Sequence, residues 1–217
     1  DQLNAACDTL NTVGKGGVLA FDCEGFLPAA DAPSPTSPTE APCRISLLQV
    51  AYAPDAPPFV FDLISLSTAV HSETLARRLK AVLENNAETL KLIHDCHNDA
   101  RLLSVQFGIV PSNVLDTQLV YEEQTGTMLG SFAALLERYG NNGKGATHPT
   151  KAIVKKQMRG DGGDGGTVRG KVPTTTESIF AQRPLPVHLL EYAAQDVSLL
   201  RSCWEALATA VTDRSLD

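Results

Sequence analysis

The sequence has no apolar run approaching the roughly 20 residues needed to cross a bilayer, which excludes a helical membrane span and a membrane partner held by one. It has no CxxC pair. Its five cysteines, Cys7, Cys23, Cys43, Cys96 and Cys203, are scattered and odd in number, so neither a zinc centre nor a disulfide framework is expected and a reducing compartment fits. Cys23 and Cys96 lie in or beside apolar strand-like runs, where a buried thiol is the expectation and a nucleophile the exception. The opening stretch, DQLNAACDTLNTVGKGG, lacks the basic region followed by an apolar one that marks a signal peptide. An intracellular setting follows as the expectation, nuclear or cytoplasmic, with an organelle as the alternative.

Basic charge is also short. The formal charge of −7 argues against a protein that coats nucleic acid with a basic surface. One segment reverses the balance. Between Lys144 and Lys171, seven basic residues (Lys144, Lys151, Lys155, Lys156, Arg159, Arg169, Lys171) face two acids (Asp161, Asp164), enough to hold a polyanion locally. The same charges on a solvated helix and loop are the plainer reading of that segment. No tandem repeat is present. The glycine-rich GDGGDGGTVRG, 160–170, is followed by no GKS or GKT and lacks the strand and helix that frame a phosphate-binding loop.

What is present is a chain of 217 residues with 43% hydrophobic content, enough to bury the core of one substantial domain. Residues 2–13 read as the end of a short helix, leading through Gly14, Gly16 and Gly17 into a strand from Val18 to Cys23. The stretch 27–42 carries five prolines and reads as a surface loop inserted between strands. RISLLQVAYA (44–53) and PFVFDLI (58–64) are strands, completing an antiparallel meander. From 67 to 86 the spacing predicts a helix with Leu75, Leu79, Val82 and Leu83 on one stripe. LKLIHD (90–95) is a strand, NDARLLSVQFG (98–108) a helix closed by Gly108, and SNVLDT (112–117) a short strand. Further helices are expected over 131–140, ending at Gly140, over 148–159 with Pro149 near the first turn, and from 186 to 211, with Trp204 packed on the core. The 160–170 segment is expected to be mobile without a ligand. A meander followed by strand-helix units makes an α/β domain with a mixed five- or six-stranded sheet flanked by helices.

The first strand ends in VLAFDCEGF. Side chains alternate along it, so Asp22 and Glu24 point to one side and Cys23 to the other. Two neighbouring carboxylates repel unless a proton or cation intervenes, and a hard divalent ion is suited to oxygen ligands. Acidic residues at a strand exit are common, so this pair alone leaves a metal site and a solvated strand end open. Two other segments bear on the choice. IHDCHNDARLL places Asp99 just inside a helix start beyond a strand. YAAQDV places Tyr192 and Asp196 four residues apart on one helix face. An aspartate within an apolar helical stripe is costly if buried and unpaired, and Asp196 makes sense if it shares ions with Asp22 and Glu24.

These segments together resemble the DEDD family of 3'-5' exonucleases on a ribonuclease-H-like fold, in its tyrosine-containing branch. Asp22 and Glu24 match the family's Asp-x-Glu at the end of the first strand. Asp99 matches its aspartate at a helix start. Tyr192 and Asp196 match its Tyr-x-x-x-Asp, in a context, RPLPVHLLEYAAQDVSLL, similar to ribonuclease D relatives. FDCEG followed by CRISLLQVAY is more similar to the Egalitarian-like, exonuclease-domain-containing subgroup than to the Werner exonuclease type. VLDTQLVY also fits a recurring stretch, with Asp116 a supporting or capping residue rather than a ligand. The resemblance runs from about Val18 to Leu207 and lacks none of the family's catalytic residues. Phe180 stands where relatives usually have tryptophan, and the loop at 27–42 is an insertion beside the first motif.

The resemblance implies one exonuclease domain over 1–217, releasing nucleoside 5'-monophosphates from single-stranded RNA, with DNA as the alternative substrate. It implies two ions, Mg²⁺ or Mn²⁺: Asp22, Glu24 and Asp196 would hold one, and Asp22 would bridge to a second supported through water by Asp99. Tyr192 would orient the attacking water and the phosphate. Gly25 would leave space for the 3'-terminal nucleotide. Lys151, Lys155, Lys156, Arg159 and Lys171 are the candidates for holding the strand. No room is left for the helical accessory domain of ribonuclease D, so grip would come from this domain or a protein partner. Some members of the subgroup are RNA-binding adaptors that have lost catalytic carboxylates, which makes a non-catalytic adaptor the alternative function. His94 and His97 fall near the site and are expected to be structural.

Overall fold

The computed structural model describes residues 2–26, 44–70, 72–127, 130–158 and 178–214. The proline-rich insertion, the 160–170 segment, Arg159 and Lys171 lie outside the described residues, as do the side chains of Lys155 and Lys156. Among the described residues, five strands form one mixed sheet: β1 (Val18–Phe26), β2 (Arg44–Ala51), β3 (Phe59–Asp62), β4 (Leu90–Ile93) and β5 (Val114–Asp116), in the order β3-β2-β1-β4-β5. The first three are antiparallel, whereas β4 and β5 add in parallel beyond β1. The flanking helices are α1 (Gln2–Asn11), α2 (Leu63–Ala69), α3 (Ser72–Lys80), α4 (His97–Phe107), α5 (Thr117–Thr125), α6 (Phe132–Gly143), α7 (Lys151–Met158), α8 (Val187–Ser202) and α9 (Trp204–Arg214).

Strand alternation sorts the apolar residues into two layers. Leu19, Phe21, Leu48 and Val50 pack with Leu3 and Leu10 of α1, the stripe Leu75, Leu79, Val82 and Leu83, and Leu102 and Leu103 of α4. Val18, Ala20, Ala51 and Leu92 face the other way, against Leu135 and Leu136 of α6, Val197 and Leu200 of α8 and Leu207 of α9. Trp204 is partly buried against this second layer. Leu47 extends it toward Phe180, Leu189 and Ala193. Each fully buried leucine of this kind contributes about 1.5–3 kcal/mol, so α8 is anchored along most of its length.

Several boundaries differ from the sequence expectation, each for a local reason. The strand expected over 58–64 stops at Asp62, whose carboxylate accepts from the Ser65 N–H at 3.0 Å and starts α2. Arg183 grips the same carboxylate through Nε at 2.7 Å and Nη2 at 2.6 Å. The helix expected over 67–86 is divided into α2, α3 and a π-helical turn, Ala81–Asn85. Gly108 caps α4 at φ 63° as expected. Gly140 does not end α6, which runs on to Gly143. A Cβ at Gly140 would sit 2.6 Å from the Cβ of Ala146, so this glycine serves the close return of the following loop. The helix expected from 186 breaks at the buried Cys203 into α8 and α9. Among the described residues no helix is long and apolar enough to cross a membrane.

Two irregularities place the functional end of β1. β4 pairs only with Val18 to Ala20, so Asp22 to Phe26 project past it with β2 alone alongside. The register with β2 then skips Ser46 between the pairs Glu24–Leu47 and Gly25–Ile45, a bulge that turns Ile45 into the first layer. The site lies at the carboxyl ends of β1 and β4, where the sheet changes from antiparallel to parallel order.

Candidate active site

β1 delivers Asp22 and Glu24 to the face that α8 covers, and one turn of α8 delivers Tyr192 and Asp196. Carboxylate oxygens of Asp22, Glu24 and Asp196 all lie within 4.8 Å of one another. They line a cavity of about 230 Å³ with His94, Phe132, Lys151 and Tyr192. Asp99, the third residue of α4, lies outside this trio, and its Oδ1 accepts the Cys23 N–H at 2.8 Å. That N–H is available because β4 has ended, so the missing ladder bond of β1 is replaced by a carboxylate from α4.

The electrostatics follow from this crowding. Burial, and then the charges of Asp99, Glu24 and Asp196, push the Asp22 carboxyl well above the ordinary carboxylate range. Burial, then Asp196 and Asp99, do the same to Glu24. Asp99 is raised by burial to about 6, although the Cys23 N–H favours its charged form. Buried carboxyls this close cannot all ionise without a compensating positive charge. An all-oxygen donor set of this kind fits a hard divalent cation, so the residues present suit the metal expected from the sequence.

Burial, followed by the charges of Asp196, Glu24 and Asp22, raises the Tyr192 hydroxyl above the ordinary phenol range. It therefore keeps its proton and acts as a hydrogen-bond donor. The thiols of Cys23 and Cys96 are also pushed up, first by burial, that of Cys96 to about 11, and neither is a ready nucleophile. Asp116 caps α5 through the Gln118 N–H and accepts the N–H groups of Asp95 and Cys96, each at 2.9 Å, which is the supporting role expected for it. His94 lines the cavity with Nδ1 3.1 Å from the Thr117 hydroxyl, and burial lowers its pKa. His97 is exposed at the start of α4.

A residue absent from the sequence reading is His148. Its Nε2 lies 3.1 Å from Asp196 Oδ1, and its ring centroid lies 4.7 Å from that of Tyr192. Thr150 fastens the same loop to α8 by donating to Gln195 Oε1 at 3.0 Å. No spacing rule marks His148; the available signal is a histidine at the edge of the basic segment. Phe180, fully buried, also packs on Tyr192, with ring centroids 6.1 Å apart. Of the basic candidates, Lys151 reaches the cavity, with Nζ 5.7 Å from the Phe132 ring centroid. Gly25 stands at the β1–β2 register slip.

The 3'-5' exonuclease family model matches residues 1–212. The chain belongs to the DEDD 3'-5' exonuclease family. By sequence, no curated protein matches this chain. Among solved structures it is similar to Trypanosoma brucei RNase D in complex with GMP, at 25% identity and a TM-score of 0.68, over 95% of this chain and 54% of that one. The T. brucei RNase D complex with RNA U12 matches at 25% identity and a TM-score of 0.57, over 95% and 59%. Escherichia coli RNase D, an exoribonuclease involved in structured RNA processing, shares the fold at 21% identity and a TM-score of 0.64, over 97% and 43%. The chain thus spans about half the length of these structures.

Proposed function

We propose that this family member is an active, divalent-metal-dependent 3'-5' exoribonuclease that releases nucleoside 5'-monophosphates from single-stranded RNA. The observation that carries this reading is the convergence of Asp22, Glu24 and Asp196 within 4.8 Å beside a protonated Tyr192. Carboxylates crowded this way, with those of Asp22 and Glu24 pushed above the ordinary range by burial and by their neighbours, are costly for stability and useful for holding a cation. The preference for RNA rests on the RNase D neighbours, one solved with an RNA and one with GMP, a nucleoside monophosphate.

In this reading Asp22, Glu24 and Asp196 would hold one Mg²⁺ or Mn²⁺, and Asp22 with Asp99 would serve a second. Bound there, two such ions supply an activated water and charge neutralisation at the departing 3'-oxygen. Tyr192 donates its hydroxyl proton to orient the water and the scissile phosphate, a role suited to a phenol that does not ionise. Gly25 leaves space for the terminal nucleotide. Lys151 offers its ammonium at the cavity; Lys155, Lys156, Arg159 and Lys171 are assigned to holding the strand on their charge in the sequence alone, with a protein partner supplying any further grip.

The test is incubation of a 5'-labelled single-stranded RNA with Mg²⁺ or Mn²⁺, beside Asp22→Asn and Asp196→Asn. The expected result is a ladder of 3'-shortened products that both substitutions abolish. RNA binding with no metal-dependent product would instead identify an adaptor on the same fold.

A further inference from the structure

Gln49, in the middle of β2, is fully buried, and neither its amide nitrogen nor its amide oxygen has a hydrogen-bond partner among the described residues. Buried amides are almost always paired, because each has lost its water. Its position says where a partner can come from. The strand register sets Asp22 of β1 directly opposite Gln49 on one side and Val60 of β3 on the other. Opposed residues of antiparallel strands share a face, with Cβ atoms about 4.5–5.5 Å apart, a gap that a glutamine side chain spans. The residues two before and two after it on that face, Leu47 and Ala51, are buried and apolar. A leucine at position 49 would suit those neighbours better than an amide does. Asp22 is the polar side chain across the ladder.

We propose that Gln49 is a positioning residue for the metal site: when the cation is held, its amide N–H, unbonded among the described residues, donates to one carboxylate oxygen of Asp22 and thereby turns the other oxygen toward the cation. Hydrogen bonds of this kind to a ligating carboxylate fix its orientation and sharpen metal affinity. A neutral donor suits the position. A lysine or arginine there would cancel charge that the cation needs, and a shorter side chain would not reach across the strands. The proposal rests on the reading of Asp22 as a metal-holding residue.

Mn²⁺ binding to the free protein, followed by the loss of the aqueous Mn²⁺ paramagnetic resonance signal, tests it with Gln49→Leu and Gln49→Met. Melting temperatures in chelator are measured in parallel. The expected result is a melting temperature equal to or above that of the unsubstituted protein, with Mn²⁺ affinity about 10- to 100-fold weaker. Turnover should fall at saturating RNA while KM for RNA changes little. Unchanged Mn²⁺ affinity in a folded variant overturns the proposal. Loss of folding in both variants overturns it as well, since Gln49 would then serve packing alone. If the unsubstituted protein binds no Mn²⁺, the metal reading itself falls, a result distinct from equal binding by protein and variant.

Discussion

His148 lies against Asp196 from outside α8: its Nε2 is 3.1 Å from Oδ1 and its ring packs on Tyr192. A residue of the α6–α7 connection thus touches both functional side chains of one helical turn. The imidazole is almost wholly buried, at 1% exposure, so removing it leaves a void beside Tyr192 and Asp196. We predict that His148→Ala destabilises the metal-free protein by about 1–3 kcal/mol. Urea denaturation measures this, and coincident midpoints would count against the contact.

The crowded carboxyls make a pH prediction. In the unfolded chain Asp99 releases its proton near 3.8, and in the folded protein near 6. Between those values the folded state holds a proton that the unfolded state has lost, so stability falls as pH rises through about 4 to 6. Asp22 and Glu24, shifted in the same direction, extend the fall to higher pH. Metal-free protein followed by thermal melts across pH 4–7 should therefore become less stable toward neutrality, by roughly 1–3 kcal/mol for Asp99 alone. Asp99→Asn should flatten the curve. A profile that rises over this range would contradict the burial and mutual crowding of these groups.

Lys151, Lys155 and Lys156 supply a separable test of the strand-holding path. Each phosphate contact to a single strand contributes about 0.7 to the slope of log affinity against log salt. Neutralising all three should weaken RNA binding and reduce that slope by about 2, with cleavage of saturated substrate largely retained. Identical slopes before and after substitution would remove these lysines from the interface.

Arg183 joins the approach of α8 to the end of β3. Although partial burial alone would raise the Asp62 carboxyl, the Arg183 guanidinium and Ser65 hold it down at about 2. Asp62 is 35% exposed, so solvent screening limits the pair. We expect Arg183→Met to cost about 1 kcal/mol near neutral pH. The loss should shrink as pH falls from about 4 through 2, since protonating Asp62 removes the same interaction. Chemical denaturation at pH 7 and pH 2.5 compares the two.

The amino-acid sequence by itself determined whatever depends on local periodicity and order. Alternation put Asp22 and Glu24 on one side of β1, and the spacing of four put Tyr192 above Asp196. The stripe of Leu75, Leu79, Val82 and Leu83 named a buried helix face, and all four are buried. The order of the acidic motifs carried the family resemblance. These features are legible because a backbone period of two or 3.6 residues fixes them before any long-range contact forms.

Tertiary structure decided the rest. The β1–β2 register skips Ser46 because two strands joined through 27–42 must fit one another, and that bulge stands beside Glu24. Gly140 lies within a helix, since Ala146 returns against it and not because the helix ends there. Cys203 divides two helices whose apolar patterns read as one, as both pack on the same layer. His148 and Gln49 meet the site from elements whose distance from Asp22 and Asp196 no spacing encodes. Side chains far apart in the chain become neighbours only when sheet order and helix packing have been chosen, and those choices belong to the whole core.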